Sequence, residues 1–144
     1  MSFVRIWLHC VWGTKNRTAF ITNNNKEIIL DHIKENAKNK GIYIDFLNGC
    51  KEHIHCIVSL NKNQSISDVI HLIKGESSFW INKNKITNKK FEWSDEYFAV
   101  SISESQINKV RDYIKNQEEH HRIKTWKTEC EEFINKYGFN KIVG

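Results

Sequence analysis

The chain contains no proline, and none of its apolar stretches approaches the ~20 residues that a membrane-crossing helix needs. It has no low-complexity linker and no repeat of fixed period, so residues 1–144 are expected to form a single domain. The N-terminus, Met1-Ser-Phe-Val-Arg-Ile-Trp7, runs straight into strand-like sequence, with no basic segment followed by a long apolar region and a cleavage site. A cytoplasmic protein with no membrane partner is the expectation. The four cysteines, Cys10, Cys50, Cys56 and Cys130, are scattered without C-x-x-C pairing, which leaves buried thiols as the default. A G-x-x-x-x-G-K-[ST] loop is missing too, so nothing points to ATP as a driver.

What remains suffices for one core. The 144 residues are 40% apolar. A net charge of +5 and a pI near 9.0 lean towards a polyanionic partner.

Hydrophobic patterning predicts a first strand over residues 3–12 and a polar loop with Lys15 and Arg17. A helix follows over 25–40, with Ile28, Ile29, Ile33 and Ala37 as its buried stripe and Gly41 just past its end. A second strand is expected over 43–47, a turn at Asn48-Gly49, and a third strand through His53 and His55. Ser65 to Asp68 resembles a helix start, and the helix carries Ile66, Val69, Ile70 and Ile73 towards Ile81. A Lys/Asn-rich loop over 82–90 leads to a fourth strand over 97–102. Ser103-x-x-Gln106 is a capping-box pattern opening a helix whose apolar stripe is Ile107, Val110 and Ile114. A last helix is expected over 125–137. The order β-α-β-β-α-β-α predicts an α+β fold, a ferredoxin-like antiparallel sheet of four to five strands with packed helices.

The chemistry-bearing residues sit on two of these elements. Side chains two apart on a strand share a face, so His53 and His55 point together while Ile54, Cys56, Val58 and Leu60 point into the presumed core. Two imidazoles side by side form half of a divalent-metal site. Tyr113 and Gln117, four apart on a helix, also share a face, at the edge of the apolar stripe. A phenol beside a carboxamide, brought to a two-histidine metal, suits metal-assisted attack on a phosphodiester. Two imidazoles and a carboxamide oxygen are a neutral donor set with positions left open, which suits Mg²⁺ or Mn²⁺ bound jointly with a phosphate. Zinc competes, because Cys50 and Cys56 flank the pair, but strand parity sends Cys56 to the opposite face.

Each residue also has an ordinary reading: Tyr113 at a core boundary, Gln117 solvated, His120 and His121 on the surface. Lys15, Arg17, Lys74, Lys83, Lys85, Lys89 and Lys90 are candidates for phosphate contact. Trp12, Trp80 and Trp93 could stack on unpaired bases or fill the core.

Five segments, in this order, carry a resemblance across nearly the whole chain. They are Trp12-Gly-Thr-Lys-Asn-Arg17, Glu52-His53-Ile54-His55, Ile73-Lys74-Gly75-Glu-Ser77-Ser78, Trp93 to Val100, and Tyr113-Ile-Lys-Asn-Gln117. Together they resemble the single-tyrosine transposases with a histidine-hydrophobe-histidine motif, small enzymes of insertion sequences that move as single-stranded DNA. The continuation Glu118-Glu119-His120-His121-Arg122 is closer to the REP-associated branch. The resemblance implies that Tyr113 attacks single-stranded DNA to form a 5′-phosphotyrosine link, that His53, His55 and Gln117 hold the metal, and that hairpin DNA is recognised. It also implies a homodimer, in which the tyrosine helix of one subunit can complete the site of the other, whereas the REP-associated branch implies a monomer. The competing reading is a non-catalytic module that binds single-stranded nucleic acid on an aromatic-bearing ferredoxin-like sheet. That module would need stacking aromatics where this chain places His53 and His55.

Overall fold

The computed structural model describes residues 1–116 together with Thr128, Glu131 and Glu132. Gln117, His120, His121, Cys130 and most of the helix expected over 125–137 lie outside the described residues. Thr128, Glu131 and Glu132 have helical backbone.

The described elements are β1 (Ile6–Gly13), a 3₁₀ turn (Lys15–Arg17), α1 (Lys26–Asn39), β2 (Tyr43–Cys50), β3 (His53–Leu60), α2 (Ile66–Lys83), β4 (Phe98–Ile102), a second 3₁₀ turn (Glu104–Gln106) and α3 (Ile107–Lys115). The four strands form one sheet in the order β2-β3-β1-β4, antiparallel at every pairing. This is the expected α+β, ferredoxin-like order, with four strands.

α1 and α2 cover one face of the sheet. Ile29, Ile33 and Ala37 of α1 and Val69, Ile70, Ile73 and Ile81 of α2 pack against Cys10, Trp12, Ile44, Ile54, Cys56 and Val58. The ends of both helices follow from local sequence. Ser65 Oγ accepts the Asp68 N–H at 3.1 Å, an N-cap of the expected kind. At the end of α1, Gly41 takes φ +74° while the Ile42 N–H reaches Ala37 O at 2.9 Å, closing the helix in a Schellman-type turn.

Five sequence expectations need correction. β1 begins at Ile6 rather than residue 3, because its pairing with β3 starts at Ile6↔Leu60, and Phe3 lies 89% exposed outside the ladder. Ile28 is outside the buried stripe of α1 and stands 51% exposed; its position turns it past the face that Ile29 and Ile33 present. Asn48-Gly49 is not a turn. Both residues are inside β2, and the hairpin reverses at Lys51-Glu52. Gly49 serves a close approach instead, since a Cβ there would stand 3.0 Å from the His53 carbonyl oxygen. α2 runs beyond Ile81 to Lys83, shortening the polar loop. Ser103 does not cap by its side chain; the Gln106 N–H bonds the Ser103 carbonyl at 2.9 Å in a 3₁₀ turn.

β1 carries apolar residues on both faces because it is an inner strand with cover on both sides. α1 and α2 pack on the side of Cys10 and Trp12, and on the other side the Tyr113 ring of α3 meets His9 at 6.2 Å.

The facing of α1 gives a direct stability test. Ile33→Ala, at a position 2% exposed, should cost ~2–5 kcal/mol in urea unfolding. Ile28→Ala should stay within ~0.5 kcal/mol. Equal losses would mean that the helix is turned the wrong way.

Candidate active site

His53 and His55 project from the start of β3, away from the α1/α2 core, with ring centroids 5.1 Å apart. The parity argument holds, but the pair is not solvated. Both residues are 0% exposed, because α3 lies across this face. Tyr113 of α3 points down onto them, half-buried, its ring edge-on at 5.6 Å from the His55 ring. The structure thus brings three of the expected site residues together from elements sixty residues apart. Gln117, the fourth, lies outside the described residues.

Two further side chains complete the cluster: His9, which no sequence signal marked, and Cys50, which sequence placed only as a flank of the histidine pair. His9, on β1, is buried, and its Nε2 is 2.9 Å from His55 Nδ1. Its ring also meets Tyr113 edge-on at 6.2 Å. Cys50 pairs with His53 across the β2–β3 hairpin, and its Sγ lies 3.0 Å from His53 Nδ1 and 3.4 Å from Nε2. Cys56 faces the core as strand parity predicts, whereas Cys50 shares the histidine side. Even so, among the described residues no group of three or more His, Cys, Asp or Glu side chains could hold a metal ion. Burial pushes the Cys10 thiol up to about 12, and Cys56 well above its usual value, so those two core thiols stay protonated.

The position of α3 rests on polar ties at its middle and its last turn. Arg111 grips Asp45 with two bonds of 2.7 Å, at the point where β2 bulges between Ile44 and Phe46. Asn48 Nδ2 donates to the Ile114 carbonyl at 2.8 Å, satisfying a last-turn acceptor beside Tyr113. Asn48 sits opposite His55 in the β2–β3 ladder. The segment before α3 is tied down as well. Glu104 accepts from the Trp7 indole at 2.6 Å and from Arg5 at 2.9 Å, and these partners, the indole first, hold its carboxyl below the usual range. None of these ties could be read from local pattern, because each joins residues that are neighbours only across the sheet.

The basic candidates separate into two groups. Lys15 and Lys74 line a cavity of about 510 Å³ between α2 and the segment before β4, together with Lys90, Trp93 and the carboxylates Glu92 and Asp95, and Glu92 pairs with Lys15 at 3.3 Å and Lys90 at 3.8 Å. Lys74 Nζ donates to the Ser94 carbonyl at 2.5 Å, and burial lowers its pKa. Arg17 is exposed in a left-handed turn residue, φ 56°. Lys83 lies 5.8 Å over the exposed Phe79 ring and Lys85 is exposed beyond the end of α2; neither lines the cavity. The tryptophans are mostly structural. Trp12 and Trp93 are buried in edge-to-face contact at 6.0 Å, and Trp80 stacks one face on His32 at 3.9 Å.

The site is thus a ferredoxin-like sheet whose histidine face is closed by a tyrosine-bearing helix, and comparison names the family. Residues 2–117 match the family described as IS200-like transposases, and the chain belongs to that family. It is therefore a DNA-cleaving enzyme of DNA transposition. Its relatives include the ISDra2 transposase TnpA of Deinococcus radiodurans, 21% identical over 76% of this chain and 81% of that protein. The transposase of insertion sequence element IS200 from Salmonella typhimurium is 24% identical, over 80% of this chain and 78% of its own length. The solved REP-associated tyrosine transposase bound to a REP hairpin shares the fold, with a TM-score of 0.63 at 16% identity over 84% of this chain and 72% of that one. Among the described residues no helix is long and apolar enough to cross a membrane.

The ties on α3 can be tested by exchange. Arg111→Met should speed amide hydrogen exchange through Ile107–Lys115 while amides of β1 and β3 keep their protection. Unchanged protection in α3 would show that Ile107 and Ile114 hold the helix unaided.

Proposed function

We propose that this transposase cleaves and rejoins single-stranded DNA at a divalent metal held by His53, His55 and Gln117, with Tyr113 as the nucleophile, within a single domain spanning 1–144. The observation that carries the reading is the approach of the Tyr113 ring to the His55 ring, 5.6 Å between centroids, on a sheet face closed by α3. The donors suit the group. Two buried imidazoles and a carboxamide four residues after Tyr113 in the sequence are neutral ligands compatible with Mg²⁺ or Mn²⁺ and a phosphate.

The Tyr113 hydroxyl attacks the scissile phosphorus, the bond to the 3′ oxygen breaks, and that oxygen takes up a proton as the free 3′-hydroxyl. The DNA remains joined to the enzyme as a 5′-phosphotyrosine ester, which keeps the phosphodiester's energy and permits rejoining without ATP. A free phenol titrates near ~10, so the tyrosine needs assistance at neutral pH. A bound cation would supply it by polarising the phosphate and stabilising the charge that develops there. The protein's part is to orient. The Arg111 and Asn48 ties hold Tyr113 over the histidines, and burial excludes bulk water from beneath it.

Recognition of a DNA hairpin is part of this reading, supported by the net positive charge and by the cluster of Lys15, Lys74 and Lys90 at one cavity. A homodimer is part of it too. Exposed Phe3, Val4 and Ile6 offer apolar surface, although the docking of α3 on its own sheet favours a site completed within one chain. The non-catalytic alternative loses its surface, since α3 occupies the sheet face on which bases would stack.

Tyr113→Phe should keep hairpin binding and abolish the covalent adduct with labelled single-stranded DNA and Mn²⁺; an adduct in that variant would remove Tyr113 from its role. His53→Ala and His55→Ala should abolish cleavage, Gln117→Ala should reduce it less, and folding of the histidine variants is to be verified because both side chains are buried. Binding should weaken with salt, and changing Lys15 and Lys74 to Gln should flatten the log–log slope by ~0.7 per lost contact to single-stranded phosphate. Mixing Tyr113→Phe with His53→Ala protein should leave cleavage absent if each site is built within one chain.

A further inference from the structure

We infer that His9 is a positioning residue for the metal site, its Nε2 accepting the Nδ1–H of His55 so that His55 presents Nε2 to the cation. The inference rests on the proposed metal role of His55. Its geometry is set by the two inner strands. Val11 pairs directly with His55, and His9, two residues back on β1, shares that face as the diagonal neighbour. The resulting contact is 2.9 Å, with the two rings nearly parallel at 28° and 5.1 Å between centroids. Both residues are buried, His9 at 4% and His55 at 0% exposure, so water does not compete freely for the bond.

A neutral imidazole carries one ring proton, and the nitrogen that binds a metal must be the bare one. With Nδ1 engaged by His9, the proton belongs on Nδ1 and coordination falls to Nε2, itself a buried atom. His9 must then keep its own proton on Nδ1 to accept through Nε2. The contact on the other histidine makes no such choice, because Cys50 Sγ lies within 3.4 Å of both nitrogens of His53. His9 also touches the Tyr113 ring at 6.2 Å, so one side chain braces both a proposed ligand and the proposed nucleophile. An orienting partner of this kind typically affects metal affinity by ~10–100-fold.

The test uses the full chain with His9→Phe, which keeps a ring but removes the acceptor, and His9→Gln, which restores an acceptor. In the metal-free wild type, ¹⁵N spectra of labelled histidines should show His55 with its proton on Nδ1, and His9→Phe should lose that preference. Titration with Mn²⁺ alone, followed by its electron paramagnetic resonance signal, should show affinity ~10–100-fold weaker in His9→Phe and largely recovered in His9→Gln. Wild-type His55 protonated on Nε2, equal Mn²⁺ affinity in His9→Phe, or no recovery in His9→Gln would each overturn the role of His9 and leave the metal site standing. A wild type that binds no Mn²⁺ would sink the metal site and this inference together.

Discussion

The burial of the histidine face by α3 is the constraint on which the rest of the site depends. An imidazole pair on an open sheet would be two solvated bases with no defined partner. Beneath α3 the same pair is fully enclosed, and each ring nitrogen must find a partner or incur a desolvation cost. From the neighbouring strands, His9 meets that need at Nδ1 of His55 and Cys50 lies against the nitrogens of His53. The helix that encloses the pair also carries Tyr113, so one docking event both dries the histidines and delivers the phenol.

That docking is mostly polar at its margins. Ile107 and Ile114 bury apolar surface, but Arg111 on Asp45 and Asn48 on the Ile114 carbonyl set where along β2 the helix stops. The bulge at Asp45 and the crowding at Gly49 belong to the same strand, whose irregularities all serve the hairpin and helix beside the histidines. On the opposite face the packing is ordinary, a closed apolar layer of Ile, Val, Cys and Trp under α1 and α2. The fold thus divides its labour: one face supplies stability and the other holds polar groups at fixed separation. The cavity with Lys15, Lys74 and Lys90 opens beside α2 and lies apart from the histidine face, since none of His53, His55 and Tyr113 lines it.

Much of this was legible in the chain. Alternation over His53 to Leu60 placed the histidines opposite the core, spacing over Ile29, Ile33 and Ala37 placed α1, and Ser65 with Asp68 marked the start of α2. Local signals failed where a residue's reason lay across the sheet. Asn48-Gly49 read as a turn because that pair is a strong hairpin signal, yet Asn48 is there to cap α3 and Gly49 to clear the His53 carbonyl. Ser103 matched a capping pattern, but Glu104's bonds to Trp7 and Arg5 accompany a 3₁₀ turn there instead.

Periods of two and 3.6 residues are local properties, so the sequence alone determined the element order, the facing of His53 and His55 and the placement of Tyr113 on the helix after β4. Distances between strands are not local. The arrival of His9 at His55, the choice of Cys50 over Cys56 as the thiol beside the pair, and the burial of both histidines depend on register and on where α3 docks. Those are decided by which backbones hydrogen-bond and which carboxylate Arg111 finds, and only the tertiary structure sets them.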